Sequence, residues 1–256
     1  MAIPDAAAAA PSLLRRHGAC DAGLRAASRG RRCDWGSQVQ HSSGARSHIA
    51  VSSGGGGQRF VRKRGLEFAR IPGGTFWMGS PNALDESPRH QVVLPSFWMG
   101  RFPVTNQQYA SYLGESPEEQ PPKFWDDAAR NHPSLPVVGV SWEEARRFAA
   151  WAGCRLPSEA EWEYVGRISD AVRERWGLHQ LYGRVVQWVE DDWHGSYCAA
   201  PCDGTAWVDD PRSALRVVRG TAWFHEPKLA RASLRSWDQP LARDDYIGFR
   251  VACSEL

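Results

Sequence analysis

Tryptophan constrains this chain more than any other residue type. Thirteen occur in 256 residues. Each supplies a large apolar surface but carries an indole N–H that needs an acceptor once buried. The chain also holds 24 Gly and 17 Pro, and both residues break regular structure into turns. Together they point to a core built from loops and short elements. Apolar residues make up 42% of the chain, near the globular norm, so a sizeable core is within reach.

Local patterns place the elements. VSSGGGGQRF (51–60) reads as a flexible linker. Residues 1–59 are therefore predicted as a disordered Arg/Ala/Ser/Gly-rich tail, and 60–256 as one domain without internal repeats. FARIPGGTFWMGS (68–80) has an apolar–turn–apolar layout around Pro72-Gly73-Gly74 and predicts a hairpin. Thr105 is a predicted N-cap for a short helix over NQQYASYL. Ser141-Trp-Glu-Glu144 and Ser158-Glu-Ala-Glu161 are capping boxes, in which the Ser hydroxyl serves the third amide and the Glu reaches back. Trp142, Ala145, Phe148, Ala149 and Ala152 then recur at helical spacing, and Gly153 ends the run. Glu159, Glu161 and Glu163 invite a catalytic reading, but acids in a first turn complement the helix dipole, and that reading is preferred. LRVVRG (215–220) and YIGFRVAC (246–253) are predicted strands; the stretch between them is too broken by Pro227, Pro240 and charges for regular structure.

Charge excludes some functions. The formal net charge is +2, but residues 1–59 carry eight Arg and three Asp, or +5, which leaves −3 on the rest. A near-neutral body gives no electrostatic case for nucleic-acid binding. No apolar run approaches the ~20 residues that span a bilayer. The start, MAIPDAAAAAPSLLRRHG, has no charged n-region and no proper h-region, so a signal peptide is not predicted and a cytoplasmic location is favoured. Of six cysteines, Cys198 and Cys202 form the one close pair, and no CxxC or zinc-like spacing occurs.

Several segments in fixed order carry a resemblance: IPGGTFWMGS (71–80), DESPRHQVVLPSFWMGRFPVTNQQY (85–109), LPVVGVSWEEARRFAAWAGCRLPSEAEWEY (135–164), WGLHQLYGRVVQWVEDDW (176–193), RVVRGTAW (216–223) and IGFRVA (247–252). They resemble the sulfatase-modifying-factor family, whose founding member is the formylglycine-generating enzyme. The resemblance implies a single α+β domain, a variant of the C-type-lectin-like fold that is poor in regular secondary structure. It also implies where the activity would sit. Two cysteines near the last strands bind copper in the true enzyme and oxidise a substrate cysteine to formylglycine. Here those positions fall at His225 and Ala230. Thiolates suit Cu(I) and one imidazole is a poor substitute, so no copper site is expected. The calcium motif appears as LHQLYGRVVQW, with Gln180 and Gln187 at side-chain ligand positions and Gly183 and Val185 as carbonyl donors. Neutral amides make at best a weak calcium site. Between Tyr164 and Trp176 only VGRISDAVRER remains, where relatives carry several tens more residues. The HxxxHxE iron triad of the related sulfoxide synthases is absent.

The stretch RGTAWFHEPKLARASLR (219–235) and its continuation then become the candidate binding face. Trp223, Phe224, His225, Arg231, Arg235, Trp237, Asp238, Arg243, Asp244 and Tyr246 lie in it. Aromatic and Arg side chains dominate binding hot spots. Two pinned strands would display them toward a protein, peptide or glycan. The competing expectation is that Trp223, Leu234 and Trp237 are core and the charges pair among themselves on the surface. An oxidoreductase in which Cys198 and Cys202, with His194 or His225, replace the lost pair is the alternative. A structural role without catalysis is the third.

Overall fold

In the computed structural model, which describes residues 60–256, both capping boxes form as the sequence predicts. The tail expected over 1–59 lies outside the described residues. Ser141 caps α2 (Trp142–Trp151) and Ser158 caps α3 (Glu159–Arg167), each with the reciprocal Glu bond. Thr105 does the same for α1 (Asn106–Glu115), with Gln108 as its partner. The short connection after α3 forms its own turn of helix, α4 (Asp170–Arg175). Arg173 ties it down by donating to the carbonyls of Gly166 and Ile168, at 2.9 and 2.6 Å.

Ten short strands make three sheets. β1 (Phe60–Lys63), β2 (Leu66–Ile71), β5 (Phe97–Gly100) and β10 (Ala252–Cys253) form one antiparallel sheet in that order. β3 (Gly74–Met78) and β4 (His90–Leu94) form a separate two-stranded ribbon. The third sheet runs β8 (Arg235–Asp238), β7 (Arg216–Arg219), β6 (Val186–Asp192), β9 (Ile247–Phe249), with β6 and β9 parallel. Two sequence expectations are corrected here. The segment 68–80 is not a hairpin: Pro72-Gly73 form no turn but pass the chain from the first sheet to the ribbon, so β2 and β3 never pair. The segment 219–245 is not irregular throughout, because β8 pairs along the full length of β7.

The result is an α+β domain with little regular structure and two adjoining cores. One gathers Tyr109, Trp142, Phe148, Trp188 and Phe249 beneath α1 and α2. The other gathers Ile71, Phe97, Trp162, Tyr164 and Val217 around α3. The buried indoles find acceptors in loops and side chains: Trp142 donates to Val189 O (2.7 Å), Trp188 to Val140 O (3.1 Å) and Trp162 to Gln187 Oε1 (3.1 Å). A disulfide joins Cys154, just after α2, to Cys253 in β10. The pair singled out by spacing behaves otherwise: Cys198 is exposed and Cys202 half-buried. Among the described residues no helix is long and apolar enough to cross a membrane.

Candidate functional site

The face is built where β7 ends. Gly220 makes the exit turn at φ +90°, and a Cβ there would lie 2.7 Å from Leu181 O, so only glycine fits. The chain is then pinned to the segment preceding β6. The amide of Gly183 donates to both the carbonyl and the hydroxyl of Thr221 (2.9 and 3.0 Å). Ala222 and Arg184 form a parallel bridge, and Trp223 N donates to Arg184 O (3.3 Å). A tight turn follows, in which Ala222 N donates to His225 Nδ1 (2.8 Å). Trp223 is thereby turned outward, 69% exposed, with Phe224 39% exposed beside it.

These rings form a connected cluster. Trp223 meets Phe224 edge-on at 5.3 Å, Phe224 lies 4.5 Å from His225, and Tyr246 meets Phe224 edge-on at 5.3 Å. Tyr246 itself is buried and donates to Asp244 Oδ2 (3.0 Å). Burial, then Asp244, raises its phenol above the ordinary range. Burial lowers the His225 imidazole below the ordinary histidine range. Its Nδ1 already accepts from the Ala222 amide.

The other expected face residues separate from this cluster. Arg235 is corrected from ligand-binding to structural: it is 4% exposed and points inward. Its Nε and Nη2 donate to Glu159 at 2.7 and 2.9 Å, and its guanidinium lies over the rings of Trp193 (4.6 Å) and Tyr197 (4.1 Å). Arg231 donates to Glu86 (2.6 Å), and Arg243 is paired with Glu144. Trp237, 40% exposed, packs against Trp193 at 6.4 Å. Asp238 follows it; burial raises its carboxyl, Gln239 N lowers it, and the neighbouring Asp244 raises it further. So the expectation that charges pair among themselves holds for the arginines, while Trp223, expected as core on that reading, is at the surface.

The proposed metal positions do not fit a cation. Gln187 is buried and fully engaged: Oε1 accepts from Trp162 Nε1 and from Arg250 Nε (2.6 Å), and Nε2 donates to Gln180 O (3.0 Å). Arg250 Nη2 also donates to Gln180 O (3.1 Å). The Arg250 guanidinium thus lies against the Gln187 side-chain amide and the Gln180 backbone carbonyl, and the Gln187 oxygen is already taken by two N–H donors. Nor do Cys198 and Cys202 gain a partner in His194. Its imidazole stacks on Trp207 at 3.6 Å, with Nδ1 against Asp192 O and Nε2 against Asp209, both at 3.0 Å. Among the described residues no three His, Cys, Asp or Glu side chains converge to hold a metal.

One feature escaped the sequence reading. Beside Trp223 opens a cleft of about 300 Å³, lined by Leu135, Pro136, Val138, Val185, Arg130, Arg184 and Asp245 among others. It joins four stretches of the chain, 129–138, 184–185, Trp223 and Asp245, and no local pattern marks such a meeting.

Comparison with known proteins places this geometry. The model of the sulfatase-modifying factor enzyme 1-like domain matches residues 58–175 and 168–255. The chain is similar to the hercynine oxygenase of Mycolicibacterium smegmatis, with 29% identity over 71% of this chain and 60% of that protein. It therefore spans less than two thirds of that relative. It is similar to the inactive C-alpha-formylglycine-generating enzyme 2 of Mus musculus, with 28% identity over 72% of this chain and 84% of the other. The solved structure of PvdO from Pseudomonas aeruginosa is 27% identical and superposes with a TM-score of 0.64, covering 75% of this chain and 95% of that one.

Proposed function

Because this chain belongs to the family of sulfatase-modifying factor enzyme 1-like domains, we propose that it is a member that recognises rather than oxidises. It acts as a binding module for a protein, peptide or glycan, and its contact face is the aromatic cluster of Trp223, Phe224, His225 and Tyr246. One observation carries the reading. At the two positions where the family resemblance expects copper-binding thiolates stand His225, its Nδ1 engaged by a backbone amide, and Ala230. What remains there is an exposed aromatic surface beside a cleft, and exposed tryptophan in that setting favours binding. The murine relative is itself named an inactive formylglycine-generating enzyme, which agrees with loss of oxidation elsewhere in the family.

The test has two arms. The protein is incubated with copper, a reductant, oxygen and a Cys-x-Pro-x-Arg peptide, and the product is examined by mass spectrometry for the aldehyde. No formylglycine is expected; its formation, abolished by Cys198→Ser, would overturn the reading in favour of a substitute cysteine pair. In the second arm, partners captured by the wild type are compared with those captured by Trp223→Ala. Capture that survives this substitution, in a variant with an unchanged melting curve, removes the aromatic face.

A further inference from the structure

We propose that the cleft beside Trp223 receives the free C-terminus of an apolar peptide, with Arg184 as the counter-charge for its carboxylate. The inference rests on the recognition reading above and names its ligand.

Charge pairing around the face singles out Arg184. Arg130 is held by Asp127 and Asp245, Arg231 by Glu86, Arg235 by Glu159 and Arg243 by Glu144. Arg184 is exposed and, among the described residues, has no carboxylate partner. A solvated surface arginine is ordinary. This one differs in its setting. It sits on the cleft lining, and its backbone is fixed by the bridge to Ala222 and the bond from Trp223 N. The fixed backbone holds the root of the side chain at the cleft. Apolar walls strengthen any ion pair formed against them.

The ligand's chemistry follows from the lining. A single guanidinium offers one planar fork, which matches a carboxylate in bidentate geometry. A phosphate dianion carries more charge than one guanidinium balances, and whatever repulsion Asp245 keeps beside its partner Arg130 weighs more on a dianion than on a carboxylate. The remaining walls, Leu135, Pro136, Val138 and Val185, suit an apolar side chain. The volume lies at the lower limit of the ~300–1,000 Å³ typical of small-ligand pockets, enough for one terminal residue. Trp223 lines the cleft and Phe224, edge-on against it, continues the apolar surface beyond, where the preceding residues of a chain would lie. That continuation favours a peptide end over a free small acid.

The experiment uses the full chain and three probes: acetyl-Ala-Ala-Leu as the free acid, the same peptide as its C-terminal amide, and acetyl-leucine. Binding is read from the indole N–H resonance of Trp223, assigned with Trp223→Phe. The free acid is expected to bind about tenfold or more tightly than the amide, the weight of one charge-assisted contact. Arg184→Ala should bind acid and amide alike, with its melting curve unchanged, and Arg184→Lys should restore part of the preference. Equal binding of acid and amide by the wild type, no binding of either, or an unaltered preference in Arg184→Ala overturns the proposal. Acetyl-leucine binding as well as the tripeptide acid overturns the peptide terminus in favour of a small carboxylic acid. Trp223-dependent capture of a partner with no acid–amide difference would leave the recognition reading standing and remove this one.

Discussion

Two buried guanidiniums, Arg219 and Arg235, meet the carboxylates of Glu159 and Glu163 beneath the third sheet. Glu159 sits in the first turn of α3, where its charge also complements the helix dipole. Its main partners, however, are the arginines. Burial pushes its carboxyl up, but Arg235 and Arg219 more than offset this and hold it below the usual range. A depressed carboxylate contributes stability above its unfolded pKa, and that contribution is lost as pH falls through the folded value. Removing one partner leaves a buried charge alone. Arg235→Ala is therefore expected to cost about 3–5 kcal/mol in urea denaturation. Trp223→Ala, at the exposed rim, should stay within about 0.5 kcal/mol; equal losses would sink the assignment of Arg235 to the interior. Asp238 has the opposite sign. Burial and Asp244 raise it, so the folded state holds its proton more tightly than the unfolded chain, and stability falls as pH rises from about 4 through the folded pKa. Asp238→Asn should raise Tm at neutral pH and leave it unchanged in acid below about pH 4. A Tm gain of the same size at both pH values would refute this. Sequence spacing revealed that 219–235 runs from three rings, Trp223 to His225, into recurring cations at Lys228, Arg231 and Arg235. It could not show which cations turn inward, because their carboxylates come from α3 and from the β3–β4 connection.

At the scale of elements, what was legible was local. Three N-caps and their reciprocal partners lie within four residues of one another, so the residue pattern alone states the bond. Strand pairing is not local. Pro72-Gly73 separates two strands without making a turn, and its flanks pair with β5 on one side and β4 on the other. Gly73 shows the reason for glycine there: a Cβ would fall 2.6 Å from Leu94 O, because the connection packs backbone to backbone against the β4–β5 connection. An apolar–Pro-Gly-Gly–apolar pattern marks a break between strands, not the partner that each strand finds. The caps differ in what they hold. Ser141 Oγ serves its own helix, accepting from Glu144 N and donating to Glu144 Oε2. Ser158 Oγ accepts from Glu161 N (3.1 Å) and also donates to Gly204 O (2.8 Å), so it ties α3 to the loop that carries Cys202. Ser158→Ala should cost about 1–2 kcal/mol, the upper part of the range for a lost cap, because Gly204 O loses its donor too. Ser141→Ala should cost about 1 kcal/mol. Thermal melts of the two variants compare them directly, and a larger loss at Ser141 would contradict the tether.

For the whole molecule, motif order conveyed the architecture, since each motif marks one junction and the junctions recur in sequence. The cleft beside Trp223 was not legible, because it needs the 129–138 loop, Arg184–Val185, Trp223 and Asp245 to meet. The disulfide was hidden for the same reason. Spacing drew attention to Cys198 and Cys202, whereas the bonded pair is 99 residues apart with Cα atoms at 4.8 Å. The loop it closes contains α3, α4 and every strand of the third sheet. Cross-linking a loop of that size restricts the unfolded chain by up to about 4.7 kcal/mol in the entropic account, and measured losses are typically 2–5 kcal/mol. The folded state has a second tie at the same place, since Arg155 and Ala252 exchange backbone bonds at 2.9 and 2.8 Å. Losing the covalent link should therefore lower stability without changing the fold. Cys154→Ser, Cys253→Ser and the double variant should all lose about 2–5 kcal/mol relative to the oxidised protein, nearly equally, because each removes one bond. Reduction of the wild type should reproduce that loss, and hydrogen exchange should quicken first at the Ala252 amide in β10. If reduced and oxidised protein melt together, the link constrains nothing. If the pair is oxidised in protein taken directly from its source, the favoured cytoplasmic location gives way to an oxidising compartment, where such bonds persist.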